Sequence, residues 1–269
     1  MKQVFFLDLK SRISMRNPID FISLVRYQCE KLPQYIPEKF GWFEPLNNDF
    51  DEKNIEIIIP PDRGGRADNV WWKRKKSDKA DGAWMPRWES AVDYLGDTHA
   101  SISMSVFSEK HCGEILEFMK IASLLAKCDI AYFDSLTPDY ASYAKESKFS
   151  QHGVLGLTTH QMRHWLPDVA WANVYGEAYT RLFGMDALMS APAYKVEALS
   201  EDSVFIQLTE SPSDLYARHD SVAEARGEVR RHLGGSRFFY DPKLAYDQRE
   251  NPGLAGKVFE VPEFNLIED

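Results

Sequence analysis

Cysteine is scarce: Cys29, Cys112 and Cys128 are odd in number and lie far apart. That excludes a disulfide framework and any CxxC metal knuckle, and leaves buried thiols as the expectation. Long apolar runs are missing too. None approaches the roughly 20 residues that a bilayer-crossing helix needs, the longest candidates lying around 57–59 and 121–126. The opening apolar stretch, ended by Asp8, is shorter than the roughly 7 to 15 residues of a signal-peptide core, so a cytoplasmic location is expected. Low-complexity tracts are absent, as are repeats at the period of roughly 20 to 50 residues that a solenoid shows. No GxSxG elbow, GxxxxGK loop or GxGxxG fingerprint occurs, so serine-hydrolase, nucleotide-hydrolase and dinucleotide-binding readings lack their minimal residues.

Positive charge is in deficit, with 32 Lys and Arg against 41 Asp and Glu in 269 residues, a net charge of −9. A 44% hydrophobic share and a mean hydropathy of −0.41 are those of a soluble globular chain with a sizeable core. The expected organisation is a single domain over 1–269, divisible into halves 1–150 and 151–269. From about residue 241 the chain is acidic and dotted with proline, and is expected to run as a tail.

Asn17, Pro18 and Asp20 form a helix start, and Ile22, Val25, Cys29 and Leu32 recur at helical spacing, which predicts a helix over about 18–32. Alternation of Ile102, Met104 and Val106 predicts a half-buried strand. Ser108 then caps a helix presenting Ile115, Phe118, Ala122 and Leu125, followed by a strand over 130–133. Runs 193–199 and 204–209, split by Ser200-Glu201-Asp202-Ser203, predict an antiparallel hairpin. Ser211-Pro212-Ser213-Asp214 opens a helix with Val222, Val229 and Leu233 on its buried stripe, and Gly234-Gly235 closes it. One strand-helix-strand unit beside a hairpin points to an α+β fold, with a mixed, largely antiparallel sheet packed with helices.

Two residue groups invite a test for catalysis. His160 and His164 stand at the spacing with which a helix holds zinc, but the position after the first histidine is Gln161, whose amide cannot take a proton from a metal-bound water. Asp139, Glu146 and Lys148 spell a compressed nuclease pattern, yet Tyr140, Tyr143 and Ala144 between them recur at helical spacing, unlike carboxylates set on a hairpin. A metal-dependent hydrolase built on either group is the alternative reading.

Charge is segregated along the chain. Residues 41–62 hold six carboxylates and one lysine, net −5; residues 63–79 hold seven cations and two carboxylates, net +5, around Trp71 and Trp72. Cations interleaved with aromatics suit nucleic acid. The −9 of the whole chain and the adjacent acidic stretch oppose it, so direct nucleic-acid binding is not expected and a solvated loop is the simpler reading. Trp84 and Trp88, one helical turn apart, read as packing residues.

The segment Leu166-Pro167-Asp168-Val169-Ala170-Trp171-Ala172-Asn173-Val174-Tyr175-Gly176 leads into Tyr179, Leu182-Phe183-Gly184, Ala191-Pro192-Ala193-Tyr194 and Gln207-Leu208-Thr209-Glu210-Ser211-Pro212, then Val229-Arg230-Arg231-His232-Leu233-Gly234 and Phe238-Phe239. Over 166–239 this resembles the immunity protein 52 family. The resemblance implies an antidote of bacterial polymorphic-toxin and type VI secretion systems, whose partner is a cognate effector toxin with a restriction-endonuclease-like nuclease domain. It carries no active-site residue over, because the quoted elements read as turn and core determinants.

The expectation is therefore a protein without catalysis, metal or cofactor, and without a membrane partner. Acidic surface is compatible with covering the basic cleft of a nuclease. The contact residues expected are Asp49, Asp51, Glu52 and Glu56, with Trp71 and Trp72 as buried anchors.

Overall fold

The computed structural model describes residues 3–13, 15, 18–59, 67–89, 98–135 and 168–234. The chain divides between Ala131 and Tyr132 into two compact units. Strands and helices occur together, and every strand pair whose register is described is antiparallel, in line with the α+β expectation.

The strands of the first unit are β1 (Phe5–Ser11), β2 (Lys39–Gly41), β3 (Asn48–Asp49), β4 (Ala67–Arg74), β5 (Ala80–Glu89) and β6 (Thr98–Val106), paired in the order β3-β2-β4-β5-β6-β1. Side chains alternate along a strand, so β1 sets Phe5, Leu7 and Leu9 opposite Val106, Met104 and Ile102. The same face continues with Trp84 opposite Ile102, Trp72 opposite Gly82 and Phe40 opposite Trp72. Trp72 and Trp84 stack with ring centroids 5.6 Å apart. The Trp84 indole N–H donates to Gln28 Oε1 at 2.7 Å, which satisfies the polar end of a buried ring and fixes the first helix, α1 (Pro18–Lys31), on this face. A Cβ on Gly82 would fall well inside contact distance of the Ser103 carbonyl oxygen and 2.7 Å from Trp72 Cζ2. Only glycine leaves room there for the ring.

Helix α1 spans the predicted residues, with Ile22, Val25, Cys29 and Leu32 buried; its predicted cap, Asn17, lies outside the described residues. Strand β6 is not half-buried as the alternation suggests, since Ser101 and Ser105 are buried along with Ile102, Met104 and Val106. The next helix, α2 (Cys112–Leu125), starts later than predicted: Ser108 accepts from the Lys110 amide at 3.2 Å in a local turn, and His111 occupies the cap without a side-chain bond. Ile115, Phe118 and Ala122 are buried, but Leu125 is 60% exposed and Ala126 takes the buried place. Seven and eleven residues on from Ile115 return to its face of the helix; ten do not. Trp84 and Trp88 share strand β5, not a helix; the Trp88 side chain lies outside the described residues.

The strands of the second unit are β7 (Ile130–Ser135), which crosses the division, β8 (Ala172–Tyr175), β9 (Lys195–Ser200) and β10 (Ser203–Gln207), in the order β7-β8-β10-β9. The predicted hairpin is present: β9 and β10 pair antiparallel across Glu201-Asp202. Between β8 and β9 lie α3 (Glu177–Phe183) and α4 (Met185–Met189), separated by Gly184 at φ 90°, a value that favours glycine. Tyr175, Tyr179 and Phe183 pack ring against ring at 5.6 to 6.4 Å, as expected of turn and core determinants. The helix predicted from Pro212 onward is broken into α5 (Asp214–Ala217) and α6 (His219–His232). Arg218, at φ −135° and ψ 47°, leaves the helical region, and its guanidinium donates to both Asp214 oxygens at 2.8 and 2.6 Å. Those bonds hold the Asp214 carboxyl below its ordinary range, against the upward push of burial. Val222, Val229 and Leu233 are buried, and Gly234 closes the helix at φ 88°.

A buried ionic network ties α6 to the strands of this unit. Asp134 at the end of β7 accepts from Arg226 Nη2 at 2.9 Å, the Trp171 amide at 3.0 Å and the Ser135 amide at 2.7 Å. Asp168 accepts from the Val169 amide at 2.7 Å and pairs with Arg230 Nη1 at 3.2 Å. Burial pushes both carboxyls up, while the arginines pull them back.

The three cysteines are free and buried. Burial pushes the Cys29 and Cys112 thiols up to about 12, and Cys128 upward as well. At pH 8 a thiol of that kind is ionised to roughly one part in 10⁴. The native protein should therefore leave all three unreacted with Ellman's reagent at pH 8, with full reaction in denaturant; rapid labelling of the native state would contradict this burial. Gly82→Ala should lower stability by about 2–4 kcal/mol, read from the urea midpoint, and an unchanged midpoint would mean that the Trp72 stack yields freely. Arg226→Met should cost about 3–5 kcal/mol by leaving Asp134 buried without its counter-charge, and adding Asp134→Asn should recover part of the loss. A silent Arg226→Met would remove the network from the account of how α6 is held.

Candidate partner-binding surface

The acidic stretch is anchored by a half-buried aromatic ring that packs on the core. Phe50 packs edge-to-face against Phe40, with ring centroids 6.5 Å apart, and lies 6.0 Å from Trp84, while its amide donates to the Glu38 carbonyl at 3.1 Å. With Phe50 turned inward, Asp49 and Asp51 on either side of it are exposed. Asp51 caps a 3-10 segment, Glu52–Ile58, by accepting from the Lys53 amide at 3.0 Å. Ile55 and Ile58 are buried beneath that segment, and Trp42 Nε1 donates to the Ile58 carbonyl at 3.1 Å. Glu52 and Glu56 are exposed, as is Ile57.

Two of the four predicted contact carboxylates already hold a cation of the same chain. Asp49 pairs with Lys39 at 2.7 Å, and Glu56 pairs with Arg26 of α1. Both remain open to solvent, so these pairs are of the kind worth little to stability and readily exchanged. The two tryptophans part company. Trp72 is 1% exposed and belongs to the core, with no surface to offer a partner, whereas Trp71, on the opposite face of β4, is 44% exposed.

The basic stretch is not a loop over its described part: it forms β4 and the turn into β5. Lys73, Arg74, Lys75 and Lys76 line an open groove of about 720 Å³ together with Lys39 from β2. Lys39 carries no signal in the sequence, because only the β2–β4 register brings it opposite Lys73. A carboxylate from outside the acidic stretch neutralises part of this charge. Glu38, which precedes the acidic stretch, accepts from the Lys75 amide at 3.2 Å and stands 3.6 Å from Lys76 Nζ. Burial pushes the Glu38 carboxyl up, but the Lys75 amide and the Lys76 and Arg74 charges outweigh it and hold the group below its ordinary range.

His160, His164, Asp139, Glu146 and Lys148 lie outside the described residues, as does the tail from about 241. Among the described residues no group of three or more His, Cys, Asp or Glu is placed to hold a metal ion, and no helix is long and apolar enough to cross a membrane.

No family model matches the chain, and no curated protein does. A solved structure described as Pseudomonas aeruginosa T6SS protein PA0821 matches in fold, with a TM-score of 0.53 at 12% identity, over 89% of this chain and 76% of that one. At that identity the likeness is one of fold.

Proposed function

We propose that the chain is an immunity protein, which binds one cognate secreted nuclease effector in the cytoplasm and blocks it by covering its surface, with no catalysis of its own. The observation that carries the reading is the acidic platform of Asp49, Asp51, Glu52 and Glu56, fixed from below by Phe50, Ile55 and Ile58 and exposed above. A nuclease must present positive charge to its substrate, and a rigid acidic surface is its electrostatic complement. Trp71, exposed on the same unit, supplies the kind of aromatic anchor on which interfaces rely. The resemblance over 166–239 to the immunity protein 52 family supports the role, and the neighbour in fold is described as a T6SS protein.

The test is a toxin challenge with any secreted nuclease that a reading frame adjacent to this one encodes. The purified pair should form a stable complex, and co-expression should protect the cell. Reversing Asp49, Asp51, Glu52 and Glu56 to lysine should slow association at low salt by about ten-fold or more, leave the circular dichroism spectrum unchanged and reduce protection. Association unaltered by all four reversals would remove the platform, and turnover of any substrate by the isolated chain would remove the reading.

A further inference from the structure

Antiparallel pairing sets Lys39 opposite Asp49 on one side and opposite Lys73 on the other. Like charges directly opposite each other weaken a strand pair. Asp49 takes Lys39 at 2.7 Å, and Lys73 faces Asp81 across the β4–β5 pair. Among the described residues the Lys73 and Lys75 side chains hold no carboxylate, Glu38 being turned to the Lys75 amide and to Lys76. Arg74 Nη1 donates to the Ile36 carbonyl at 3.0 Å, while its Nε is buried without an acceptor among the described residues. Five cations, Lys39, Lys73, Arg74, Lys75 and Lys76, against the carboxylates of Glu38 and Asp49 thus line an opening of about 720 Å³, whose lining also includes Pro37, Leu46 and Phe50.

We propose that this groove is a docking site for a short carboxylate-rich segment of a protein partner. The cations call for an anion, and the surroundings decide which kind. Asp49 and Phe50 line the groove, and the acidic platform continues from them through Asp51 and Glu52. An extended phosphodiester would run from the groove onto those carboxylates, on a chain that carries −9 overall. A compact acidic segment places its charge in the groove and stops. Apolar side chains in the lining give the stems of such a segment a surface to lie on. Should the partner be the nuclease of the proposed function, the segment would be the carboxylates with which such an enzyme holds its metal; that identification rests on the immunity reading, and the groove's preference does not.

The experiment measures fluorescence anisotropy of a labelled hexaglutamate peptide and a labelled oligothymidylate of equal length with the full chain near 50 mM salt. The peptide should bind with a dissociation constant of about 10–100 µM, at least ten-fold more tightly than the oligonucleotide. Lys73→Glu should weaken the peptide ten-fold or more while the melting temperature holds, because the new carboxylate faces Lys39 on one side and Asp81 on the other. Lys75→Glu, in the turn beyond β4, should weaken it without touching the sheet and serves alone if Lys73→Glu lowers the melting temperature. Absence of peptide binding, binding indifferent to both variants, or tighter binding of the oligonucleotide would each overturn the proposal. Since no effector enters the measurement, its failure is distinguishable from failure of the toxin challenge.

Discussion

An indole can lie flat against a neighbouring strand only where that strand has no side chain on the shared face. Gly82 provides the gap, Trp72 fills it, and Trp84 stacks beside it with its N–H tied to Gln28 of α1. A slip of one residue would drive Trp72 to the other face and bring Asp81 or Ala83 under the ring. The stack therefore fixes the register of β4, and register decides which side chains look outward. Trp71 is exposed and Lys73 half-buried on the outer face because Trp72 between them is turned to the core. Lys73 meets Lys39 for the same reason, since Phe40 pairs with Trp72 on the buried face.

The same core reaches the acidic platform through one ring. Phe50 contacts Phe40 and lies near Trp84, so the backbone on both sides of it is anchored although both flanking residues are exposed aspartates. An acidic stretch in a free loop would lose conformational entropy when a partner ordered it. Here the Asp51 cap, the buried Ile55 and Ile58 and the Trp42 bond have already fixed the backbone. Charge and rigidity come from different residues: the carboxylates face out, and the residues between them hold the shape.

Local periodicity was readable where a single face is buried. Ile22, Val25 and Cys29 mark α1, Val222 and Val229 mark α6, and the turn at Glu201-Asp202 marks the β9–β10 hairpin. It misled where a neighbour in space decides. Ser101 and Ser105 look like a solvent face yet are buried. Ser108 has the chemistry of a cap but bonds two residues on instead of starting the helix. The break at Arg218 depends on its own grip on Asp214, a pairing compatible with an unbroken helix on sequence alone. Adjacent tryptophans hid the period of β4, because Trp71 and Trp72 are equally hydrophobic and only one is inside. Of the proposed contact surface, the four carboxylates could be read from charge runs; the groove could not, because Lys39 joins it across a strand pairing and Glu38 neutralises it from outside the acidic run.

Net charge hides this arrangement. A chain at −9 would be read as uniformly acidic, yet its first unit sets a positive groove against a negative platform, joined at the Lys39–Asp49 pair. A uniform field speeds encounter but does not choose an orientation, whereas two adjacent fields of opposite sign favour one orientation and penalise the reverse. The partner such a surface selects must alternate in the opposite sense, positive where it meets Asp51 and Glu52 and negative where it meets Lys73 and Lys75. A nucleic acid, negative along its whole length, cannot alternate in this way, and a folded protein can. The segregation of charge, more than its total, is therefore the feature of this chain that points toward a protein partner.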